Sequence, residues 1–116
     1  MNNHKDLDVW KRSVELVVEI YRVTEAFPKK EIYGITNQIR RASVSIPSNI
    51  AEGAGRKGNV EFSRFLYFSL GSLSEVETQL IISKKIKYLQ KNDFEILNKE
   101  LTEIRRMLLG LIKSLR

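Results

Sequence analysis

Apolar residues recur at helical spacing in four segments, which glycine, proline and polar clusters separate. The segments cover about residues 8–26, 33–54 and 60–88, and the fourth runs from residue 92 to the C-terminus. No segment alternates with a period of two, so no sheet is expected. Because the connections are short, neighbouring helices should be antiparallel. The pattern predicts an all-α protein, a single domain over residues 1–116 folded as an antiparallel up-and-down four-helix bundle.

The first and third segments have unusually wide apolar faces. The first carries two adjacent stripes, Trp10, Val14, Val17, Val18 and Tyr21 in one and Val9, Leu16, Ile20 and Val23 in the other. The third is apolar nearly all round in its N-terminal half, because Phe65, Tyr67, Phe68 and Leu70 lie off its main stripe. A helix of this kind is buried on more than one side. We therefore expect part of the third helix to contact another subunit.

The ends and the middle of the helices also carry signals. Pro47 has no N–H to donate, so the second helix should be kinked near Pro47, or else divided there into two short helices. Asn59 is the expected N-cap of the third helix, and Asn92 with Glu95 forms a capping box at the start of the fourth.

The charge balance is basic and unevenly distributed. The chain has 20 Lys and Arg against 14 Asp and Glu, a net charge of +6, and residues 32–58 hold four basic residues and one acidic residue. Such an excess favours a polyanionic partner. The alternative is that the charge only keeps a small domain in solution.

Composition excludes several kinds of chemistry. The chain has no cysteine, which removes disulfides, thiolate metal sites and cysteine nucleophiles, and its only histidine, His4, lies in a terminus expected to be frayed. The N-terminus lacks the apolar core of a signal peptide, and no apolar run approaches the roughly 20 residues of a membrane helix. We expect a cytoplasmic protein without a metal, a cofactor or a membrane association.

One run matches a nucleotide-binding pattern by its letters only. Residues 53–58 read Gly-Ala-Gly-Arg-Lys-Gly, which fits G-x-G-x-x-G. That fingerprint requires a preceding strand within a βαβ unit, and here a helix is predicted before it. We interpret the run as the end of a helix and a turn. The turn leads into the third helix, and the N-terminus of a helix is a place where phosphate binds.

The candidate nucleic-acid contacts are the basic residues of the second quarter of the chain: Arg40, Arg41, Arg56 and Lys57. Few aromatic residues lie near them in the sequence, and neither a helix-turn-helix nor a zinc finger is recognisable. Contacts to a nucleic acid would therefore be mainly to phosphates and strongly dependent on salt. A second basic cluster, Lys84, Lys85 and Lys87, also complements the dipole at the end of the third helix.

Several runs of residues resemble a known family. The main ones are Tyr33-Gly34, Gln38-Ile39-Arg40-Arg41-Ala42, Ser45-Ile46-Pro47-Ser48-Asn49-Ile50-Ala51-Glu52-Gly53 and Glu75-Val76-Glu77-Thr78-Gln79-Leu80. Over residues 7–89 the chain resembles the bacterial four-helix-bundle family of 23S rRNA intervening-sequence proteins. Within the run that contains Pro47, Asn49 and Glu52 share a helix face and are expected to hydrogen-bond to another helix or subunit.

The resemblance carries its own expectations about assembly and partners. It implies a ring, expected to be a homopentamer, and no established enzymatic activity. The family is also similar to the accessory protein of diversity-generating retroelements, a basic barrel that binds nucleic acid and a reverse transcriptase. RNA, DNA and a reverse transcriptase or other protein are thus the implied partners. Two functional hypotheses follow: a non-enzymatic ring that binds RNA, and a protein–protein adaptor that does not.

Overall fold

Four long helices form the molecule in the computed structural model, which describes residues 3–116. They are α1 (Asp8–Thr24), α2 (Ile35–Ala54), α3 (Gly58–Lys85) and α4 (Lys91–Ser114), with short 3-10 turns at His4–Asp6 and Lys29–Glu31. Each helix packs on its sequence neighbours, and α4 also packs on α1, which closes an antiparallel bundle. The predicted all-α, four-helix architecture is confirmed. No helix within the described range is long and apolar enough to cross a membrane.

The core is built from one apolar stripe of each helix. In α1 the buried stripe is the one that contains Leu16 and Ile20, whereas Val18 and Tyr21 of the other stripe are 55% and 43% exposed. The core also contains Val9 and Val23 in α1, Ile39, Ala42, Ile46 and Ile50 in α2, Phe62, Leu66, Leu73, Val76 and Leu80 in α3, Leu97, Leu101, Ile104, Leu108 and Ile112 in α4, and Phe27 and Leu89 in the loops. The other stripe of α1 is therefore only partly buried, and its residues Val18 and Tyr21 lie on the surface.

Small residues bring α2 and α3 close together. The hydroxyl of Ser69 donates to the carbonyl of Ile46 at 2.8 Å, and the hydroxyls of Ser45 and Ser72 hydrogen-bond across the same interface. Near the end of α2, a Cβ atom on Gly53 would lie 2.7 Å from the Cβ of Phe65. The close approach of the two helices therefore depends on small residues, such as Ser45 and Gly53, on the face of α2 that meets α3.

The second helix passes through Pro47 without a break. It is continuous from Ile35 to Ala54, so the alternative of two short helices is wrong. Ile46 and Ile50 are fully buried on either side of the proline, and their packing holds both halves of α2 in one element. The kink expected near Pro47 stays a prediction.

Both predicted asparagine caps are wrong by two residues. α3 begins at Gly58 with Lys57 as its N-cap residue, α4 begins at Lys91 after Gln90, and neither N-cap side chain bonds to the helix. The connection between α2 and α3 is so short that the chain turns at Gly58 itself, whose φ is +81°. Asn59 and Asn92 consequently lie inside the first turns.

The residues just before α1 form a short capped turn. Asn3 accepts a hydrogen bond from the backbone N–H of Lys5 at 2.8 Å, which caps the 3-10 turn that contains His4. The ring of His4 lies edge-on to Trp10, with 5.1 Å between the ring centroids. His4 thus has an aromatic partner, and the expectation that this terminus is frayed stays a prediction.

A tyrosine joins two loops at one end of the bundle. The Tyr88 hydroxyl, in the loop between α3 and α4, donates to the carboxylate of Glu31 at 2.9 Å. The Tyr88 ring also lies 5.7 Å from the ring of Phe27, in the loop between α1 and α2. The hydrogen bond to Glu31, with desolvation, raises the pKa of Tyr88 above its ordinary value of 10. The two loops are thus fixed against each other.

The bond predicts how stability changes at alkaline pH. Because the folded-state pKa of Tyr88 is raised, its stabilising contribution is complete below the unfolded pKa of about 10 and is lost as the pH rises through the folded value. Tyr88→Phe should therefore lower the free energy of unfolding at pH 8, and the deficit should shrink above pH 10. Urea unfolding of both proteins between pH 7 and 11 measures this. A deficit that does not vary with pH would contradict the role of the bond.

Candidate nucleic-acid interface

Arg40 is bonded to α1 and is mostly covered. Its Nε donates to the hydroxyl of Thr24 at 2.9 Å, and its Nη2 lies 3.2 Å from a carboxylate oxygen of Glu25. The guanidinium also lies over the ring of Tyr21, 4.6 Å from the centroid, and the side chain is only 17% exposed. These contacts hold α2 against the end of α1.

Arg41, the next residue, lies on a different side of α2. It is exposed and borders a shallow depression with Gln38 and Ser45 of α2 and Glu75 of α3. Consecutive helical residues diverge by about 100°, which explains why Arg40 faces α1 while Arg41 is directed toward α3. Of the two arginines, Arg41 is the one that solution can reach freely.

Arg56 and Lys57 form the short turn between α2 and α3, and both are exposed. Arg56 has one carboxylate close by, that of Glu52 at 3.4 Å. Its guanidinium lies over the ring of Phe65, 5.1 Å from the centroid. The predicted interpretation of the glycine-rich run is confirmed, since Gly53 and Ala54 end a helix and Gly58 starts the next one.

The structure does not bring the four sequence-predicted residues together. Arg40 lies in α2 and Arg56 lies just beyond its C-terminal end, 16 residues later. This separation corresponds to about 24 Å along the helix axis. Arg41 stands on the side wall of the bundle, whereas Arg56 and Lys57 occupy its end. Only the last two are neighbours.

A further arginine joins that end and was missed by the sequence reasoning. Arg64 of α3 lies over the ring of Phe68, 5.2 Å from the centroid, and 5.9 Å from that of Phe65. The signal was available, because Arg64 and Phe68 are four residues apart and share a helix face. We call the surface formed by Arg56, Lys57, Arg64, Phe65 and Phe68 the turn surface.

The charge pairs on the turn surface are weak. Arg64 lies 3.4 Å from a carboxylate oxygen of Glu61, and both side chains are more than 40% exposed. Exposed pairs of this kind contribute only about 0–1 kcal/mol to stability. These two pairs therefore hold the guanidinium groups of Arg56 and Arg64 only weakly.

Carboxylates and arginines pair along the groove between α1 and α4. Glu15, Glu19 and Glu100 line a depression there beside Leu16 and Ile96. Arg12 bridges the groove through two bonds to Glu100, at 2.8 and 2.9 Å, and Arg22 lies 2.9 Å from Glu19. A hydrogen bond from Arg106 lowers the pKa of Glu103. Glu19, Glu100 and Glu103 are therefore paired with arginines, and no strongly charged surface results.

Comparison with known proteins identifies the family. The family model described as "23S rRNA-intervening sequence protein" matches residues 5–110. The chain belongs to that family. A crystal structure of a protein of unknown function from the S23 ribosomal protein family of Bacteroides thetaiotaomicron VPI-5482 is similar to it, with 27% sequence identity and a TM-score of 0.81. The match covers 90% of this chain and 98% of that protein. No curated protein matches.

In this member of the 23S rRNA-intervening sequence protein family, the run that carried the resemblance is a packing segment. Residues 45–53 include Ser45, Ile46 and Gly53, which form the close contact between α2 and α3 described above. Asn49 donates to the carbonyl of Ser45 within α2, and Glu52 pairs with Arg56 at the end of the same helix. The expectation that Asn49 and Glu52 bond to another helix of the chain is therefore wrong.

Proposed function

We propose that this protein is a non-enzymatic, oligomeric helical bundle that binds RNA through basic surface residues. The observation that carries the proposal is the turn surface, where Arg56, Lys57 and Arg64 stand together in reach of solution. The adjoining first turn of α3 has no side-chain cap, and such a helix N-terminus favours an anion. Arg41 is a separate exposed cation on the side of the bundle, and Arg40 acts as the anchor that fixes α2 on α1.

A simple purification tests the proposal. Protein isolated at low salt should carry nucleic acid, seen as a high ratio of absorbance at 260 nm to that at 280 nm. Because phosphate contacts release counterions, the nucleic acid should be removed by a wash at about 1 M salt. Ribonuclease, and not deoxyribonuclease, should abolish the excess absorbance. Protein free of nucleic acid at low salt would contradict the proposal.

The oligomer belongs to the same proposal and rests on exposed apolar residues. Val60 and Tyr67 of α3 are 85% and 51% exposed, and Val18 of α1, on another side of the bundle, is 55% exposed. Large exposed apolar side chains are typical of surfaces that contact another protein. The homopentameric ring implied by the resemblance is one way to cover them.

Light scattering tests the assembly. The wild type should have a mass several times that of the 13.5 kDa chain at micromolar concentration. Tyr67→Asp should lower that mass, because a buried unpaired carboxylate opposes association. Thr102→Asp, on an exposed polar position of α4, is the matched control and should leave the mass unchanged. A wild-type monomer would contradict the assembly.

The second candidate function is a protein adaptor, favoured by the same exposed apolar residues. In that case a protein partner, such as a reverse transcriptase, covers them in place of another copy of the chain. Capture of one defined protein should then survive nuclease treatment. Loss of every partner with the nucleic acid would count against the adaptor.

A further inference from the structure

The end of the bundle opposite the turn surface brings together residues that are far apart in sequence. The hydrogen bond between Tyr88 and Glu31 joins the loop before α2 to the loop after α3. Residues 29–33 are thereby placed next to residues 84–88, across more than 50 positions of sequence. The bundle is 43 Å long, so this end is remote from Arg56 and Lys57.

This end is rich in lysines without acidic partners. We call it the lysine end; its six lysines, all exposed, are Lys29, Lys30, Lys84, Lys85, Lys87 and Lys91. Within residues 3–116, Lys91 is the one of the six with a carboxylate inside salt-bridge range, that of Glu95 at 3.9 Å. Lys84 is held over the ring of Phe94, with its ammonium 4.4 Å from the centroid.

The acidic residues near the lysines have other partners. Glu25 pairs with Arg40, Glu31 accepts the bond from Tyr88, and Asp93 lies 4.0 Å from Arg22. Tyr88 is neutral, so Glu31 keeps its negative charge there. The six lysines with Arg22 and Arg40 nevertheless outnumber the four acidic residues Glu25, Glu31, Asp93 and Glu95, and this end is net positive. Such an excess of positive charge attracts a polyanion.

Lys87 occupies a backbone conformation that favours glycine. Its φ is +69°, in the left-handed region, where the N–H groups of Tyr88 and Leu89 close the end of α3 on the carbonyl of Ser83. Glycine is the usual residue at this position, because a side chain there is unfavourable. Strained backbone positions of this kind cluster at functional sites. The ammonium of Lys87 is the group that such a function would use.

An exposed aromatic ring accompanies the lysines. Tyr33 is 92% exposed and lies in the same loop as Lys29 and Lys30. Cationic side chains beside a free aromatic ring suit single-stranded nucleic acid, since an unpaired base stacks on the ring while the phosphates contact the cations. A duplex offers its phosphates but no free base to stack.

We propose that the lysine end is a binding surface for single-stranded RNA, on which Tyr33 stacks against an unpaired base and the lysines contact the flanking phosphates. The inference rests on the proposed function for the identity of the ligand, but it uses a different surface. An anionic lipid surface is the other polyanion that lysines meet. Ile32 and Ile86 are also exposed at this end, at 47% and 48%. They lie in two separate loops, however, and do not form the continuous apolar face of an amphipathic helix that membrane-binding segments bury.

Substitution of Tyr33 tests the stacking. Tyr33→Ala should weaken binding of a fluorescent ten-nucleotide single-stranded RNA by about tenfold or more, the usual effect of removing one stacked ring. Tyr33→Phe keeps the ring and should bind like the wild type. Binding of the duplex form of the same sequence should change little in either variant. Equal loss of single-stranded and duplex binding in Tyr33→Ala would overturn the stacking.

Lys87→Gly separates a binding role from a structural one. The variant should have a higher melting temperature than the wild type, because glycine relieves the strained backbone. It should nevertheless bind single-stranded RNA more weakly, with a salt slope reduced by about 0.7 in log–log units. Lys99→Ala, an exposed lysine of α4 at a distance from this end, is the control and should bind like the wild type. Greater stability with unchanged affinity would overturn the role of Lys87.

The outcomes distinguish this inference from the proposed function. The Tyr33→Ala and Lys87→Gly variants could bind RNA normally while substitution of the turn surface abolishes binding. In that case the assignment of RNA binding to the lysine end is wrong and the proposed function stands. If the wild type binds neither single-stranded nor duplex RNA, both are wrong. If the wild type sediments with phosphatidylserine vesicles and does not bind RNA, the ligand of the lysine end is an anionic lipid surface and the RNA assignment is wrong.

Discussion

In the Tyr33→Ala background, which removes the stacking contact of the lysine end, replacing Arg56, Lys57 and Arg64 together by alanine is expected to lower the affinity for single-stranded RNA about 100-fold near 0.1 M salt. Each phosphate contact to a single strand contributes about 0.7 to the slope of log affinity against log salt, and three contacts at 0.1 M amount to about two decades. The three side chains stand together on the turn surface, so a single strand can contact all of them. Fluorescence anisotropy measures the change.

The control for this variant removes the same charge elsewhere. Lys11, Lys99 and Lys113 are exposed residues of α1 and α4, and their replacement by alanine lowers the net charge by the same three units. If the effect is local to the turn surface, the control should lose far less affinity than the triple variant. Equal losses would mean that RNA responds only to the net charge of the protein. Arg40 is left intact in both proteins, because its bonds to Thr24 and Glu25 make it part of the fold.

Gly53→Ala is expected to have the second largest effect, on stability. The new Cβ would lie 2.7 Å from the Cβ of Phe65 and 3.2 Å from the carbonyl oxygen of Phe62, both of which are fixed in α3. Forcing one carbon into such a contact costs about 1–3 kcal/mol, only partly offset by the better helix propensity of alanine. Thermal unfolding should show a melting temperature lower by several degrees.

Gly110→Ala provides the matched control for Gly53→Ala. Gly110 lies inside α4, and a Cβ atom there would meet nothing within 4 Å. The same substitution should therefore raise stability by up to about 1 kcal/mol, the difference in helix propensity between the two residues. A stabilised Gly53→Ala variant would show that α2 and α3 are not held at the distance the structure gives.

The helices were predictable because their cores are stripes along single elements. In α4, Leu97, Leu101, Ile104 and Leu108 follow at alternating steps of three and four, and all four are buried. In α1 two stripes were equally apolar, and the sequence did not decide between them. Packing against the other helices buries Leu16 and leaves Val18 exposed. The spacing of apolar residues within one helix does not predict which of its stripes the other helices cover.

The candidate site was less predictable, because it depends on contacts between elements. Arg40 and Arg41 look equivalent in the sequence, yet Arg40 is bonded to Thr24 of another helix and Arg41 is free of it. Arg64 joins Arg56 only because α2 and α3 are antiparallel and meet at a short turn. The lysine end similarly exists only after the bond between Tyr88 and Glu31 brings two loops together.

The asparagine caps failed for a related reason. Asn59 has the right chemistry for a cap, but the turn of residues 55–57 is too short to place it before the helix. The conformation of Gly58 starts α3 two residues earlier than predicted. An N-cap side chain contributes only about 1 kcal/mol to helix stability. The packing of α2 on α3 fixes the path of the short connection, and this decides where α3 begins.

The most direct test of the central claim is the affinity of the wild-type protein for single-stranded RNA across a salt series from about 50 to 300 mM, with the oligomeric state measured by light scattering on the same sample. We expect saturable binding by an oligomer, with log affinity falling linearly against log salt at a slope of about −2 or steeper, as three or more phosphate contacts require. Absence of saturable binding at 50 mM salt would contradict the account, and the basic charge would then serve only to keep the protein in solution.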